Sequence, residues 1–374
     1  MAYLIPDQSM PFPLSACDRG RSMRIAIIGG GLAGAFLALQ LKDSGHQVSL
    51  FDPRAPWEKP CGGAVNTGIF DQFPILGELS CGWHRPSNLK FLPSACEEDS
   101  LVGPQSTWLM VSRYDLNRAI LKEALRTRTV SLTADRVNDI RLKRDGLHWL
   151  VRTARDRHEF DVVVGADGVN SVVRKRLMGP FPPEHLSLAV GYMVRKAPLD
   201  EMLFRTYSDL LGYLWYLPRS DHASVGIVTR ANATPVSDLW RRLDAFLDRY
   251  CPQGRKIRRW RALIPSAIKP GFWRSRCSGQ NWALIGDAAG HVDPLTGIGI
   301  PYALASSTLV ARAILCGDLE SYDRAWRDQY GHGLEHSSGV MRRFVRTGDV
   351  TGFEHWMEEM CLLAMCPWLS ALVK

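Results

Sequence analysis

One stretch constrains this chain more than any other. Residues 23–34 read Met-Arg-Ile-Ala-Ile-Ile-Gly-Gly-Gly-Leu-Ala-Gly. Arg24–Ile28 is a short apolar, β-branched run, as expected of a strand buried on both faces. It runs into Gly29, Gly31 and Gly34, spaced G-x-G-x-x-G, and then into an apolar helical stretch at residues 35–41. The three glycines have separate physical roles. Gly29 permits the tight turn, Gly31 lets backbone approach a pyrophosphate, and Gly34 lets the helix pack close to the strand. The helix N-terminus offers free N–H groups and positive potential to phosphates. A second strand, Gln47–Phe51, ends at Asp52, where an acid takes a ribose 2′-OH. Strand, glycines, helix and acid come in the order a dinucleotide site requires.

The chain has 374 residues, enough for two packed domains or one with a large insertion. Its net charge is +8, but no Lys/Arg block interleaved with aromatics appears, which argues against nucleic acid as a partner. Attraction to anionic substrates or lipid heads stays open. The nine cysteines are odd in number and form no C-x-x-C pair, which points to a reduced, cytoplasmic setting without a metal site. No long uncharged run suits a bilayer span. Residues 1–22 lack the apolar core of a signal peptide and read as a loose tail, with Met23 an alternative start.

The expected fold class is α/β: a Rossmann-like domain, a second α+β domain carrying an antiparallel sheet, and C-terminal helices. The first domain takes residues 23–66, 106–179 and 280–330. The second takes 67–105 and 180–279, where strand-like alternation appears at 186–194, 213–217 and 223–229. Residues 331–374 read as helical. There Phe353, Trp356, Met357 and Met360 fall at helical spacing, which suits packing on the chain's own core. A membrane-surface helix is the weaker reading, since Glu354, Glu358 and Glu359 occupy its polar face.

Two further motifs follow apolar strands. One is Val-Gly-Ala-Asp-Gly at 164–168; the other is Gly-Asp-Ala-Ala-Gly-His at 286–291, running on to Ile300. By themselves Asp167 and Asp287 suit turns after strands. Together with the glycine loop, the three resemble FAD enzymes of the para-hydroxybenzoate hydroxylase fold. The resemblance implies that Gly286 and Asp287 serve the cofactor, with Asp287 on the ribityl chain. It places the backbone of Gly297, Ile298, Gly299 and Ile300 beside the flavin's pyrimidine edge. It also implies that Arg113 lies near the FAD phosphates and that Val137 touches adenine through its main chain.

Two more stretches resemble the geranylgeranyl reductases, which saturate isoprenoid double bonds. They are Lys59-Pro-Cys61-Gly-Gly and Tyr213-Leu-Trp215-Tyr-Leu-Pro218. Leu217 stands where that group carries Phe, and Ile298 where it often carries Glu. The resemblance implies a reductase in which NAD(P)H or another reductant charges FAD, which passes hydride to an alkene of an apolar, lipid-like substrate under Tyr213 and Trp215. The runner-up is an aromatic or polyketide hydroxylase on the same scaffold, and a flavin-dependent halogenase ranks third. A non-catalytic flavin carrier is the reading from another class. Cys61 is either a small buried thiol in a glycine turn or a group at the flavin–substrate boundary. Tyr213 and Trp215 share one strand face, which is either plain core or the wall of an apolar pocket. His291 is a cofactor-loop or capping residue. No second glycine-rich module for a nicotinamide is visible, so a separate electron donor stays open. Membrane contact is at most peripheral.

Overall fold

The computed structural model describes residues 21–94, 101–103 and 107–365, with side chains given through 361 except at 101–103. The tail at 1–20 and Cys17, Cys96 and Cys366 lie outside the described residues. Four sheets and a set of helices make up the fold.

The first sheet has six strands, in the order Ser278–Gly279, Trp282–Leu284, Val162–Gly165, Arg24–Ile28, Gln47–Phe51 and Val130–Thr133. All pairings are parallel except the short outermost one, Ser278–Gly279 with Trp282–Leu284. Parallel strands need crossovers; the helix Leu32–Leu41 lies on this sheet, and Arg113–Ala124 and Ile300–Leu315 pack on that helix. Ile25, Ala26 and Ile27 have no exposed surface, which explains their unbroken apolar character. A three-stranded antiparallel sheet, Val137–Leu142, Trp149–Thr153 and Arg157–Phe160, is appended.

The second large sheet has seven strands: Arg255–Pro265, Leu186–Arg195, Ala223–Arg230, Leu210–Pro218, Met202–Tyr207, Leu89–Leu92 and Leu101–Gly103. It is antiparallel as expected, apart from a parallel pairing of Met202–Tyr207 with Leu89–Leu92. One face packs on the amphipathic helix Val236–Tyr250 through Leu239, Leu243, Phe246 and Leu247. The other carries Trp215 and Trp260, stacked with centroids 6.0 Å apart. Glycines on the neighbouring strands make room for both indoles. A Cβ at Gly226 would collide with the Trp215 ring, and one at Gly191 would collide with Trp260.

The helices His332–Thr347 and Val350–Met365 complete the described chain. Phe344, Phe353, Met357 and Cys361 are buried against Trp215, Leu217, Trp260 and Leu295. The helix at 350–365 thus packs on its own protein through Phe353 and Met357 and, in part, Trp356 of the residues at that spacing, while Cys361 rather than Met360 completes the buried face. Among the described cysteines, Cys61, Cys81, Cys251, Cys277 and Cys361 are free thiols. Cys316 is disulfide-bonded, so the expectation of a fully reduced set fails there. No described helix is long and apolar enough to cross a membrane.

Candidate active site

The three sequence motifs converge at the ends of the parallel strands. Gly29 has φ +104°, and a Cβ on it would collide with Ala166 O, so the glycine turn abuts the Asp167 turn. A Cβ on Gly34 would collide with Gly29 O, so the helix meets the strand at backbone contact. Gly31 differs, because a Cβ there would meet nothing within 4 Å. Its open side faces the N-terminus of Leu32–Leu41, which has no side-chain cap and no acid in its first turn. Gly286 packs against Ala33 and Ala303, so the Asp287 turn sits between this helix and Ile300–Leu315. That second helix also begins without a side-chain cap or an acid, at Gly299 with Pro301 in its first turn. Two positive helix ends are therefore aimed into one region.

Asp52 is more occupied than its motif suggests. Gly30 N–H donates to Oδ2 at 2.9 Å, and Arg54 and Ala55 N–H donate to Oδ1 at 2.8 and 3.1 Å. Oδ2 keeps acceptor capacity for one more donor, such as a ribose hydroxyl. Asn117, to which no motif points, donates to Gly30 O at 3.0 Å from a buried position. Asp167 accepts from Val172 N–H at 2.6 Å, while its other oxygen is buried without a partner. Burial outweighs its hydrogen bonds and holds this carboxyl above the usual range. Val137 stands apart on the three-stranded sheet, where a bulge at Asn138 interrupts the ladder beside it.

Lys59 Nζ forms an ion pair with Asp287 Oδ2 at 2.6 Å, joining the Cys61 loop to the Asp287 turn. Burial raises the Asp287 pKa, but Lys59 and then Arg113 overcome this and hold it below the carboxylate range. Arg113 is buried with Nε unpartnered. Its guanidinium acts on both Asp287 and Cys61. Burial pushes the Cys61 thiol up; Arg113, the Gly63 N–H at 3.4 Å and Lys59 outweigh it and favour the thiolate.

The loop at 58–63 is fixed by residues outside every motif. Arg219, with a fully buried side chain, donates to Glu58 Oε1 at 2.6 Å, Cys61 O at 2.6 Å and Gly62 O at 3.1 Å. Ser224 Oγ donates to Cys61 O at 2.9 Å. Glu58 also accepts from Ser112 Oγ and from Arg113 and Tyr114 N–H, which seats it on the start of Arg113–Ala124. A Cβ on Gly62 would meet Leu217, and one on Gly63 would collide with Val111 O. The available signal was Arg219 itself, a cation directly after the apolar run 210–218.

Tyr213 and Trp215 lie on that same run, with ring centroids 6.1 Å apart. The Tyr213 hydroxyl donates to Thr296 O, beside Gly297. Burial raises the Tyr213 pKa, and Asp293, Cys361 and Cys61 raise it further, so the phenol stays neutral. Gly297 has φ +70°, and Ile298 N–H donates to Thr296 Oγ1 at 3.2 Å. Asp293 holds this turn by accepting from Leu295 N–H, Thr296 N–H and Thr296 Oγ1. His291 is instead a packed ring, stacked 3.6 Å from Trp326 and kept neutral by burial and by Arg174.

The uncapped helix ends, the open face of Gly31 and the unpartnered Arg113 and Asp167 atoms fit a cofactor with a pyrophosphate and a polar ring edge. Likeness to known proteins decides the assignment. The family model described as lycopene cyclase protein matches residues 24–358. The chain belongs to that family. A geranylgeranyl diphosphate reductase of Synechocystis is 27% identical over 372 residues, covering 87% of this chain and 86% of the relative. That of Rhodobacter capsulatus is 30% identical over 319 residues, covering 77% and 74%. The crystal structure of a geranylgeranyl bacteriochlorophyll reductase-like protein from Thermoplasma acidophilum superposes with a TM-score of 0.74 at 17% identity, covering 90% of each chain. The chain is a geranylgeranyl-reductase-like FAD oxidoreductase, an enzyme on the FAD monooxygenase-type α/β fold.

Proposed function

We propose that this enzyme saturates carbon–carbon double bonds of an isoprenoid-type, apolar and lipid-like substrate. The observation that carries the proposal is the Arg219 anchor. It fastens the Cys61 loop to the strand holding Tyr213 and Trp215, while Tyr213 reaches the Thr296–Gly297 turn. A reactive-ring edge and an apolar aromatic wall are thereby held beside one another. FAD supplies the hydride when bound, and its electrons come from NAD(P)H or from another reductant such as a separate donor protein. Gly29, Gly31, Gly34 and the two helix ends take the pyrophosphate and ring edge. Asp52 and Asp287 take ribose and ribityl hydroxyls, Val137 serves adenine, and Asp167 and Gly286 shape the cradle. Gly297, Ile298, Gly299 and Ile300 lay backbone along the ring edge; the N–H groups of Gly297 and Ile298 are donated within the turn, to Asp293 O and Thr296 Oγ1, so those of Gly299 and Ile300 are the ones that stabilise negative charge. Lys59 and Arg113 add positive charge there. Tyr213 and Trp215 hold the alkene, and Cys61 positions it or its proton source.

In this reading residues 67–105 and 180–279 form the substrate domain, and the enzyme works in the cytoplasm with at most peripheral membrane contact. The test is anaerobic turnover of FAD-loaded protein with a geranylgeranyl substrate and a chemical reductant. Mass spectrometry is expected to find two added hydrogens per double bond. Product that gains oxygen, and only in air, would replace this reading with the hydroxylase.

A further inference from the structure

The strand Arg255–Pro265 ends the seven-stranded sheet, so its outer edge is bare among the described residues. Residues 255–261 read Arg-Lys-Ile-Arg-Arg-Trp-Arg, and all but Trp260 are exposed. On the neighbouring strand exposed Arg195 stands opposite Arg255, and exposed Lys196 follows it. Like charges opposed across a ladder destabilise it, so fold stability does not account for this placement. Cations blunt a bare edge against aggregation, but Arg195 and Lys196 do not sit on that edge.

Little neutralises the patch. Lys256 pairs with Asp244 at 2.6 Å, and Arg259 lies over Trp240 at 3.9 Å. Arg195, Lys196, Arg255 and Arg261 form no ion pair among the described residues. In their midst Ile257 is 39% exposed, at a bulge where the register skips it. A bulge turns its extra residue out of the ladder. The strand is also continuous with the active site. Trp260 stacks on Trp215, and Arg258, on the same strand face, donates to Glu58 O at 2.6 Å.

We propose that this basic edge docks the enzyme on an anionic membrane surface, with Ile257 entering the interfacial layer. The inference rests on the apolar, lipid-like substrate proposed above, which such a surface would deliver beside the Cys61 loop. Charge complementarity selects the partner. One cation near an anionic leaflet strengthens binding about fivefold, and an apolar anchor beside a polybasic patch supplies the second signal that stable attachment needs.

The experiment is co-sedimentation of the full, FAD-loaded chain with vesicles. Phosphatidylcholine alone should retain little protein, and admixed phosphatidylglycerol should capture it in a salt-sensitive way. Arg255→Gln/Arg261→Gln should weaken capture roughly 25-fold, at about fivefold per cation. Ile257→Ser should weaken it independently. Arg128→Gln/Arg144→Gln, the same charge loss at exposed positions elsewhere, should leave it unchanged. Flavin absorbance and melting temperature report that each variant is folded and loaded. No preference for anionic vesicles, or equal loss in the two double variants, would overturn the proposal. So would release by inorganic pyrophosphate at matched ionic strength, which would assign the patch to a free phosphate ligand. Vesicle capture needs no turnover, so failure of the reductase reading registers separately in the product assay.

Discussion

Gly31 and Gly34 stand three residues apart in one motif, yet they meet different surroundings. A methyl at Gly34 collides with Gly29 O, whereas one at Gly31 enters open space. Gly34→Ala is therefore expected to unfold or misfold the first sheet. Gly31→Val should fold and fail to retain FAD. Circular dichroism and flavin absorbance of the two variants check this, and equal behaviour would remove Gly31 from the cofactor site. Cys61 is the second case at this scale. Arg113, Gly63 N–H and Lys59 together outweigh its burial. Its alkylation by iodoacetamide should show a midpoint below that of an ordinary thiol, and Arg113→Gln should move that midpoint up. Cys61→Ser should keep FAD while turnover falls by roughly 10²–10⁴ if the thiol positions a proton. Unchanged turnover and product distribution would make Cys61 a packing thiol.

At the scale of elements, the loop at 58–63 is held by the strand 210–218 and its extension rather than by its own sequence. The Glu58–Arg219 pair is mostly buried, and Arg219 donates to two loop carbonyls as well. Glu58→Gln leaves the guanidinium without its counter-charge, and breaking one side of a buried pair costs roughly 3–5 kcal/mol. A drop of that order in denaturation free energy is expected, together with faster protease cleavage within the loop. A loss under about 0.5 kcal/mol, typical of a surface substitution, would show that the loop holds itself. Such anchoring explains why some of the architecture was legible in the sequence and some was not. The glycine turn, the two Asp turns and the parallel strands are local patterns whose period and spacing follow from one segment at a time. Glu58 and Arg219 lie 161 residues apart in sequence, and each alone reads as an ordinary surface charge. The parallel pairing of Met202–Tyr207 with Leu89–Leu92 was equally hidden, because pairing between distant segments leaves no periodicity in either. Asp52 was legible as an acid at the right distance, but its three backbone donors depend on the turn that follows.

Across the whole molecule, the last described helix, Val350–Met365, packs on the aromatic layer that the proposed function makes the apolar wall of the site. Phe353, Met357 and Cys361 press on the Trp215–Trp260 layer, and burial, with Glu358, pushes the Cys361 thiol up to about 12. The helix is also fastened to the same sheet by Glu354, which accepts from Ser94 N–H at 2.8 Å, Ser94 Oγ at 3.1 Å and Thr206 Oγ1 at 2.5 Å. Burial raises the Glu354 pKa, but these donors outweigh it and hold the carboxyl below its usual range. A depressed carboxyl pKa gives a stabilisation that is full above the unfolded-state value and lost as pH falls through the folded one. The clasp should therefore be intact at neutral pH and open only below the ordinary glutamate value of about 4.3. Glu354→Ala should cost about 1–2 kcal/mol, allowing for solvent screening of a half-buried group. Hydrogen exchange at neutral pH should then accelerate along residues 350–361 while the Leu32–Leu41 helix keeps its protection. With Tyr213 and Trp215 holding the substrate as proposed, the same variant should raise KM for a long apolar substrate more than it lowers kcat. Exchange that rises equally in both helices would make Glu354 a contributor to global stability, with no particular hold on the wall of the site.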